Sequence, residues 1–235
     1  MQIIFKKNII DFADFNLELE KLLENPSIKS VCEIGAGANP TLDINQVQEK
    51  NLSYSICDIS EDELAKAPSI YHKVIADVCD PLMNKSPKYN LVFSMMLAEH
   101  LPDAYSFHKN MFDILESGGY ALHFFPNLYT LPFFINRITP QAVSAHLLNI
   151  FAPRDPVKKR KFPAYYHWCF GPTNRQIKKL TDIGYQIVKY IGFFGHDYYG
   201  DLPVISQLET LKTTLLLKYP NPLFTSYSLM LLQKP

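Results

Sequence analysis

Four short apolar segments in the first half of the sequence each end in an acidic or small residue, and this pattern restricts the fold more than any other. They cover residues 30–34, 53–57, 71–76 and 90–95. Polar stretches of helix length separate them, which is typical of parallel strands joined by helices that cover both faces of a sheet. The pattern predicts an α/β fold.

Helix signals fall between these segments. Residues 11–23 place Phe and Leu among acidic residues in an amphipathic pattern. Ser60 and Glu63 have the spacing of a capping box, and Asp103 is positioned to cap a helix that Gly118 and Gly119 would end. The remaining elements are predicted in this order: a strand over 120–125, a helix over 172–181, a strand over 185–193, a helix over 203–218 and a strand over 225–232.

The chain has no internal repeat and no low-complexity linker, so one domain is predicted over residues 1–235. Residues 1–28 are expected to form a helical flank. Residues 127–171 interrupt the alternation of strands and helices with prolines, aromatic residues and the basic run Lys158–Lys161. We interpret this segment as an insertion that covers the substrate.

Composition excludes several classes of protein. A chain with 47% hydrophobic and 20% charged residues is ordinary for a globular protein, not a disordered or collagen-like one. Its apolar runs fall far short of the roughly 18 residues that span a bilayer, and its first residues reverse the order of a signal peptide. The four cysteines contain no Cys-x-x-Cys pair, so no metal site is expected, and a cytoplasmic location suits them.

The net charge of zero conceals an asymmetry between the two halves of the chain. Residues 1–125 contain 10 basic and 18 acidic residues, a net charge of −8, whereas residues 126–235 contain 13 and 5, a net charge of +8. Residues 137–179 alone contain nine basic residues and one acid, Asp155. This favours a local anion site in the second half over a uniformly basic nucleic-acid surface.

The loop after the first of the four segments has the sequence Glu33-Ile34-Gly35-Ala36-Gly37-Ala38-Asn39-Pro40. Glycines at this spacing let the backbone turn sharply and approach a ligand closely, because no Cβ intervenes. A dinucleotide fingerprint would need glycine where Pro40 stands. Glu33 would repel a pyrophosphate but stabilise an ammonium group, so the loop disfavours NAD and favours a nucleoside that carries an amino acid.

Two further acids follow the next two predicted strands. Asp58 is placed to accept both hydroxyls of a ribose, and Asp77 lies within reach of an adenine amino group. Because the carboxyl ends of parallel strands share one edge of a sheet, Glu33, Asp58 and Asp77 are expected to surround one ligand there.

The glycine loop with Glu33, followed in order by Asp58 and Asp77, resembles the class I S-adenosylmethionine-dependent methyltransferases. It resembles in particular their broad bacterial small-molecule group, of the type 11 and type 23 kind. A Glu-His pair follows the fourth strand in that group, and here it is Glu99-His100. The segment Leu115-Glu116-Ser117-Gly118-Gly119-Tyr120 also looks like the family pattern, whereas Asn90 and Asn39 depart from it. The resemblance implies a Rossmann-like sheet of seven mostly parallel strands, with helices on both faces and an antiparallel last strand.

The resemblance also implies an enzyme that uses S-adenosyl-L-methionine and a set of residues that would bind it. Glu33, Gly35 and Gly37 would hold the methionine end, and Ser94 with Met95 would lie near the sulfonium. The full set of cofactor-binding residues expected in this way is Glu33, Gly35, Ala36, Gly37, Asp58, Ile59, Asp77, Val78, Ser94 and Met95.

Catalytic and substrate residues are less constrained by the sequence. His100 is a candidate general base, although a histidine at a helix start that only bonds locally fits equally well. His123 stays unassigned. Tyr165, Tyr166, His167 and Trp168 are candidate substrate residues beside the basic run, and the alternative is a small satellite core with a solvated loop.

The expected reaction is in-line methyl transfer to a small molecule or to a glycan or lipid-linked intermediate, with an anionic acceptor favoured. RNA methylation is one alternative, and a non-catalytic binding protein on the same fold is another. Nucleic acid is a less favoured partner. Contact of Leu131–Ile135 with an anionic membrane surface is possible on the sequence but less favoured than core packing. The sequence leaves the oligomeric state open.

Overall fold

A computed structural model describes residues 1–8, 12–80, 88–138, 163–196, 198 and 203–235. In those residues one eight-stranded sheet organises the chain, with the strand order β1-β7-β8-β6-β5-β2-β3-β4. The strands are β1 (Gln2–Lys7), β2 (Ser30–Ile34), β3 (Ser53–Asp58), β4 (His72–Ile75), β5 (Tyr89–Met95), β6 (Leu115–Pro126), β7 (Gln186–Phe194) and β8 (Tyr227–Gln233).

Helices connect the strands and lie on both faces of the sheet. They are α1 (Ala13–Leu23), α2 (Ile44–Glu49), α3 (Glu61–Lys66), α4 (Ala104–Ile114), α5 (Leu131–Ile138), α6 (Asn174–Ile183) and α7 (Pro203–Lys218). Short 3₁₀ turns cover Ala98–His100 and Pro222–Phe224. None of the described helices has both the length and the apolar character of a membrane span.

The parallel ladder confirms the α/β prediction. β2 pairs with β3 and β5, and β3 pairs with β4, always in parallel. β8 runs antiparallel to both β6 and β7, as the family resemblance implied for the last strand. The carboxyl ends of β2 to β6 therefore meet at one edge of the sheet.

The sheet has eight strands and not the expected seven, because the N-terminus adds one. Gln2–Lys7 forms β1, which pairs in parallel with β7 from Gln2 opposite Lys189 to Lys7 opposite Phe194. The flank at 1–28 is thus a strand followed by the predicted helix α1. A short apolar run such as Ile3-Ile4-Phe5 gives no sign of its partner when that partner lies near the other end of the chain.

Local capping explains where several helices begin. Asp103 accepts a hydrogen bond from Ser106 N at 3.0 Å and starts α4 as predicted. Ser60 accepts from Glu63 N at 3.2 Å, but the reciprocal half of that capping box is replaced by a bond from Ser60 N to Asp58. α4 ends at Ile114, and the glycines expected to end it lie inside β6.

Two buried apolar clusters fill the space between the sheet and its helices. One lies on the face covered by α1 and α3 and includes Phe15, Leu64 and Phe93. The other lies on the face covered by α4 and α6 and includes Phe107 and Leu180. The polar residues of interest are concentrated at the carboxyl edge, where these two layers end.

Candidate functional site

The glycine loop follows β2 at the carboxyl edge and has the backbone conformation that its sequence predicted. Gly35 and Gly37 have φ angles of 76° and 53°, in the left-handed region that side chains with a Cβ rarely adopt. Gly35 N donates to Cys57 O at 2.7 Å, which ties the loop to β3. A Cβ on Gly35 would lie 3.0 Å from the Leu97 side chain, so the segment after β5 packs closely over this glycine.

Asp58 lies at the end of β3 and is bonded directly to the glycine loop. One carboxylate oxygen accepts from Gly37 N at 3.0 Å, and the other accepts from Ser60 N at 2.9 Å. Each oxygen therefore has one chain partner, and the residue is only half-buried. Since a carboxylate has about four acceptor positions, Asp58 can position the loop and still accept hydroxyl groups of a ligand.

Asp77 follows β4 and lies beside Asp58. Ala76 N donates to Asp58 O at 3.1 Å, and Asp77 is exposed, with Oδ1 accepting from Cys79 N at 2.9 Å. Burial, followed by the charges of Asp58 and Asp77, raises the pKa of the Cys57 thiol to about 12. Both carboxylates are thus close enough to Cys57 to act on the same thiol.

Glu33 occupies a different environment from these two acids. It is 5% exposed and lies on the face covered by α1. Its oxygens accept hydrogen bonds from Thr41 N at 2.8 Å, from Thr41 Oγ1 at 2.6 Å and from the Tyr54 hydroxyl. Burial raises the Glu33 pKa, and these hydrogen bonds oppose that rise. Glu33 holds the segment after the glycine loop, and its direct contact with a ligand stays a prediction.

Three apolar residues of the predicted cofactor set lie at the same edge. Ile59, next to Asp58, is 67% exposed. Ala36 and Val78 are buried. Ile59 therefore offers an uncovered apolar surface on which a flat ring could lie, directly beside the two carboxylates.

Ser94 and Met95 end β5, and the structure gives their side chains different surroundings. The Ser94 hydroxyl is buried and lies 2.8 Å from Nδ1 of His123. Burial lowers the His123 pKa to about 3, so this histidine is neutral and belongs to the core. Met95 is half-buried and packs against the apolar cluster on the face covered by α1 and α3. A role near a sulfonium stays a prediction for both residues.

Glu99 lies in the 3₁₀ turn after β5, two residues beyond the Leu97 side chain that covers Gly35. It is 3% exposed, and Oε2 is fully buried without a hydrogen-bond partner among the described residues. Oε1 lies 3.7 Å from Nε2 of His100. Burial raises the Glu99 pKa to about 8. A hydrogen bond to its own backbone opposes that rise, but Oε2 has no donor among the described residues, unlike the oxygens of Glu33.

His100, the predicted general base, is held by the insertion. Its Nδ1 lies 2.8 Å from the carbonyl oxygen of Pro163, and about a third of the side chain is exposed. A carbonyl oxygen can only accept, so Nδ1 donates. His100 therefore has one ring nitrogen fixed on the chain and the other directed toward Glu99.

Three tyrosines and one phenylalanine form what we call the tyrosine cluster: Tyr166, Tyr198, Tyr227 and Phe133. The Phe133 ring contacts the three tyrosine rings at centroid distances of 6.1, 5.3 and 5.6 Å. The side chains of Tyr198 and Tyr227 share a hydrogen bond. Burial is the main cause that raises the pKa of Tyr227, and the nearby side chains of Tyr198, Tyr166 and Glu99 raise it further. The cluster extends from the exposed Tyr198 inward to Glu99.

The four predicted substrate residues do not form one group in the structure. Tyr166 belongs to the tyrosine cluster, and the backbone N–H groups of Tyr165 and Tyr166 both donate to Glu99 O, at 2.7 and 3.0 Å. His167 bonds Pro102 O at 2.7 Å. Trp168 stacks on His108 of α4 at 5.7 Å and lies under Lys179 of α6. Trp168 therefore packs against the helices, away from the tyrosine cluster.

The basic run Lys158–Lys161 lies outside the described residues. Of the segment 131–135, Phe133 is buried in the tyrosine cluster, whereas Leu131, Phe134 and Ile135 are exposed. Contact of that segment with a membrane stays a prediction.

The sequence analysis quoted Glu99 only as part of the Glu-His pair and gave it no role, and it did not name Tyr198, Tyr227 or Asn127. Asn127 is buried after β6, donates to Thr225 and Ser228 and accepts from Gly171 N at 3.0 Å, which ties the end of the insertion to β8. One signal was visible: Glu99 is an isolated acid in the largely apolar run from Leu91 to Leu101. The other three have no local signal, because their partners are distant in sequence.

Solved structures that match this fold include S-adenosylmethionine-dependent methyltransferases. The protein from Archaeoglobus fulgidus has 16% identity and a TM-score of 0.55, covering 94% of this chain and 93% of its own. The protein from Clostridium acetobutylicum has 12% identity and a TM-score of 0.55, covering 96% and 92%. Phosphoethanolamine N-methyltransferase 2 of Haemonchus contortus, in complex with S-adenosyl-L-methionine, has 16% identity and a TM-score of 0.53, covering 94% and 52%.

No protein-family model and no curated protein matches the sequence. At these identities the structural matches establish the fold alone. The chain has the class I S-adenosylmethionine-dependent methyltransferase fold, as its ordered glycines and acids predicted.

Proposed function

We propose that this chain is an S-adenosylmethionine-dependent methyltransferase. The observation that carries the proposal is the glycine loop bonded to Asp58, with Asp77 beside it, at the carboxyl edge of parallel strands. This is the edge at which open α/β sheets bind nucleotides. The fold of the neighbouring structures is consistent with that use.

The residues present fit such a cofactor. The backbone at Gly37 has a φ of 53° and carries no Cβ, so a ligand can approach it closely. Asp58 has acceptor positions for ribose hydroxyls, the exposed Ile59 gives an apolar surface for a base, and Asp77 offers a carboxylate to an amino group. Bound S-adenosyl-L-methionine supplies an activated methyl group, so the chain needs mainly to align the acceptor and exclude water.

The proposed acceptor is a small molecule, or a glycan or lipid-linked intermediate, that carries an anionic group. The charge of residues 137–179 supports this, since the sequence has nine basic residues and one acid there and the backbone of Tyr165 and Tyr166, in the same segment, bonds Glu99 O. One neighbour is named for phosphoethanolamine, so the fold serves a small acceptor in that protein. The same proposal includes a cytoplasmic location, which is consistent with four free cysteines.

Isothermal titration calorimetry with S-adenosyl-L-methionine tests this function. We expect the wild-type chain to bind, and Asp58→Ala to lose at least about tenfold in affinity, since charge-assisted hydrogen bonds contribute about 1.5–3 kcal/mol each. Glu20→Gln, a substitution at an exposed position of α1, is the control and should bind like the wild type. Absence of binding by the wild type, or equal affinity in Asp58→Ala, would contradict the proposal.

A further inference from the structure

The carboxyl group of Glu99 is one of several buried polar groups with an atom that has no hydrogen-bond partner among the described residues, and it lies in the turn beside the glycine loop. Oε2 has no partner among the described residues, and the side chain is almost completely removed from water. A buried ionisable group without a partner lowers the stability of a protein. Such groups are concentrated at functional sites, where a ligand supplies the missing partner.

The position of Glu99 links it to the candidate site. The turn that carries it begins directly after Leu97, whose side chain packs over Gly35. On its other side Glu99 adjoins the tyrosine cluster, whose outer member Tyr198 is exposed. Glu99 therefore lies between the segment that covers the glycine loop and the tyrosine cluster, whose outer residue is exposed.

We propose that Glu99 receives the acceptor: its carboxylate accepts a hydrogen bond from an O–H or N–H group of the acceptor and takes that proton during methyl transfer. This inference rests on the proposed function. It names the acceptor class as alcohols, phenols or amines and excludes carboxylates, which bring no proton and would be repelled by Glu99. Any anionic group of the acceptor then lies at its other end.

The proton balance of the step is complete within this site. The acceptor atom forms a bond to the methyl carbon, the carbon–sulfur bond breaks and its electron pair remains on sulfur. The acceptor's proton passes to Oε2 of Glu99, which becomes a neutral acid. Oε1 lies 3.7 Å from His100 Nε2, and the partly exposed His100 is the positioning residue through which the proton leaves for solvent.

The groups that face Glu99 determine its titration. His100 comes from the same turn, Tyr166 and Cys169 come from the returning insertion, and Tyr227 comes from β8, with Tyr198 bonded behind it. The thiol and the phenols are neutral near pH 7. His100 is thus the only group of this set that can carry a positive charge, so a second cation in the site would shift Glu99 strongly toward its ionised form.

Proton release on cofactor binding tests the inference without a known acceptor. S-adenosyl-L-methionine and S-adenosylhomocysteine differ by a methyl group and the sulfonium charge. A unit charge about 7 Å from a carboxyl group changes its ionisation equilibrium by roughly 50-fold at an effective dielectric constant of about 20. Glu99 has a pKa of about 8 in the free protein. At pH 7 we therefore expect S-adenosyl-L-methionine to release about 0.5–0.9 proton more per site than S-adenosylhomocysteine.

Calorimetry of both ligands in buffers of different ionisation enthalpy measures this difference. We expect it in the wild type and in the control Glu20→Gln, and we expect it to disappear in Glu99→Gln. Equal proton release for the two ligands, or a difference that persists in Glu99→Gln, would overturn the inference and leave the proposed function intact. If neither ligand bound to the wild type, the proposed function and this inference would both be wrong.

Methyl transfer to defined acceptors gives a second, independent measurement. Radiolabelled S-adenosyl-L-methionine is incubated with ethanolamine, catechol or benzoate as probes of the amine, phenol and carboxylate classes. We expect label in the amine or phenol arm and none in the benzoate arm, and Glu99→Gln to reduce transfer by about 10²–10⁴-fold. Transfer to benzoate, or transfer that is unaffected in Glu99→Gln, would contradict the proposal. Because the proton measurement on the wild type needs no variant, misfolding of Glu99→Gln would not remove the test.

Discussion

The two buried glutamates at the carboxyl edge, Glu33 and Glu99, have similar exposure and opposite surroundings. Glu33 accepts three hydrogen bonds from Thr41 and Tyr54, whereas the Oε2 atom of Glu99 accepts none from the part of the chain that the structure describes. A carboxylate that the chain already satisfies holds the fold in place. One with an oxygen that the described residues leave unsatisfied, beside the tyrosine cluster, is available to a ligand.

This contrast divides the carboxyl edge of the sheet into two ends. The end formed by β2, β3 and β4 is built by bonds within the chain, since Asp58 fixes the glycine loop and Glu33 fixes the residues after it. The end formed by β5, β6 and β8 is assembled from the returning insertion and the tyrosine cluster. At the first end we expect loss of a side chain to lower the free energy of unfolding. At the second end we expect it to change the pH dependence of the protein and the acceptors that it methylates.

The largest expected effect concerns the pH dependence of stability at Glu99. Its pKa is raised to about 8 in the folded chain, above the value of 4.5 for a free glutamate. The protonated form is favoured by folding, so this stabilisation is present below pH 4.5 and is lost as pH rises to about 8. Between pH 5 and pH 8 the free energy of unfolding of the wild type should fall by up to about 4 kcal/mol more than that of Glu99→Gln. Urea unfolding at both pH values measures this, and parallel behaviour of the two proteins would contradict it.

A smaller effect is expected when Glu33 loses its hydrogen bonds. Glu33→Leu leaves the buried Tyr54 hydroxyl and the Thr41 N–H without an acceptor. Unsatisfied buried groups cost about 1–3 kcal/mol each, so we expect about 3 kcal/mol of destabilisation in urea unfolding at pH 7. Glu20→Gln is the exposed control. A change in unfolding free energy below about 0.5 kcal/mol is what an ordinary surface substitution causes. Such a result would show that Glu33 does not hold the end formed by β2, β3 and β4.

The smallest effect is expected at the exposed end of the tyrosine cluster. Tyr198→Phe removes the hydroxyl that bonds Tyr227, but Tyr198 is more than half exposed, so water replaces the lost partner. We expect less than about 1 kcal/mol of destabilisation. Thermal unfolding measures this. A loss as large as that of Glu33→Leu would mean that the tyrosine cluster is a structural core and would remove the contrast between the two ends.

Much of the fold could be predicted because its signals are local. The four segments became β2 to β5, α1 was confirmed, and the caps at Ser60 and Asp103 start the helices as expected. The glycine loop adopts the positive φ angles that its residues permit. β1 was not predicted, because a strand at the edge of a sheet is defined by its partner and the partner here is β7.

The candidate site was predictable in part for the same reason. Asp58 lies against Gly37 because two neighbouring parallel strands end there, and strand order places Asp77 beside it. The packing of Trp168 against α4 and the burial of Phe133 depend on how the insertion folds back, which leaves no periodic signal in the sequence.

The sequence by itself determined which residues end the strands, and so which acids and glycines share one edge of the sheet. Only the tertiary structure decided what each acid does there. Residue spacing fixes the position of a side chain along its own strand or turn, but the free energy of a buried carboxyl group depends on donors and water supplied by other parts of the chain. Thr41 and Tyr54 provide those donors to Glu33, whereas the Oε2 atom of Glu99 is buried with no donor among the described residues.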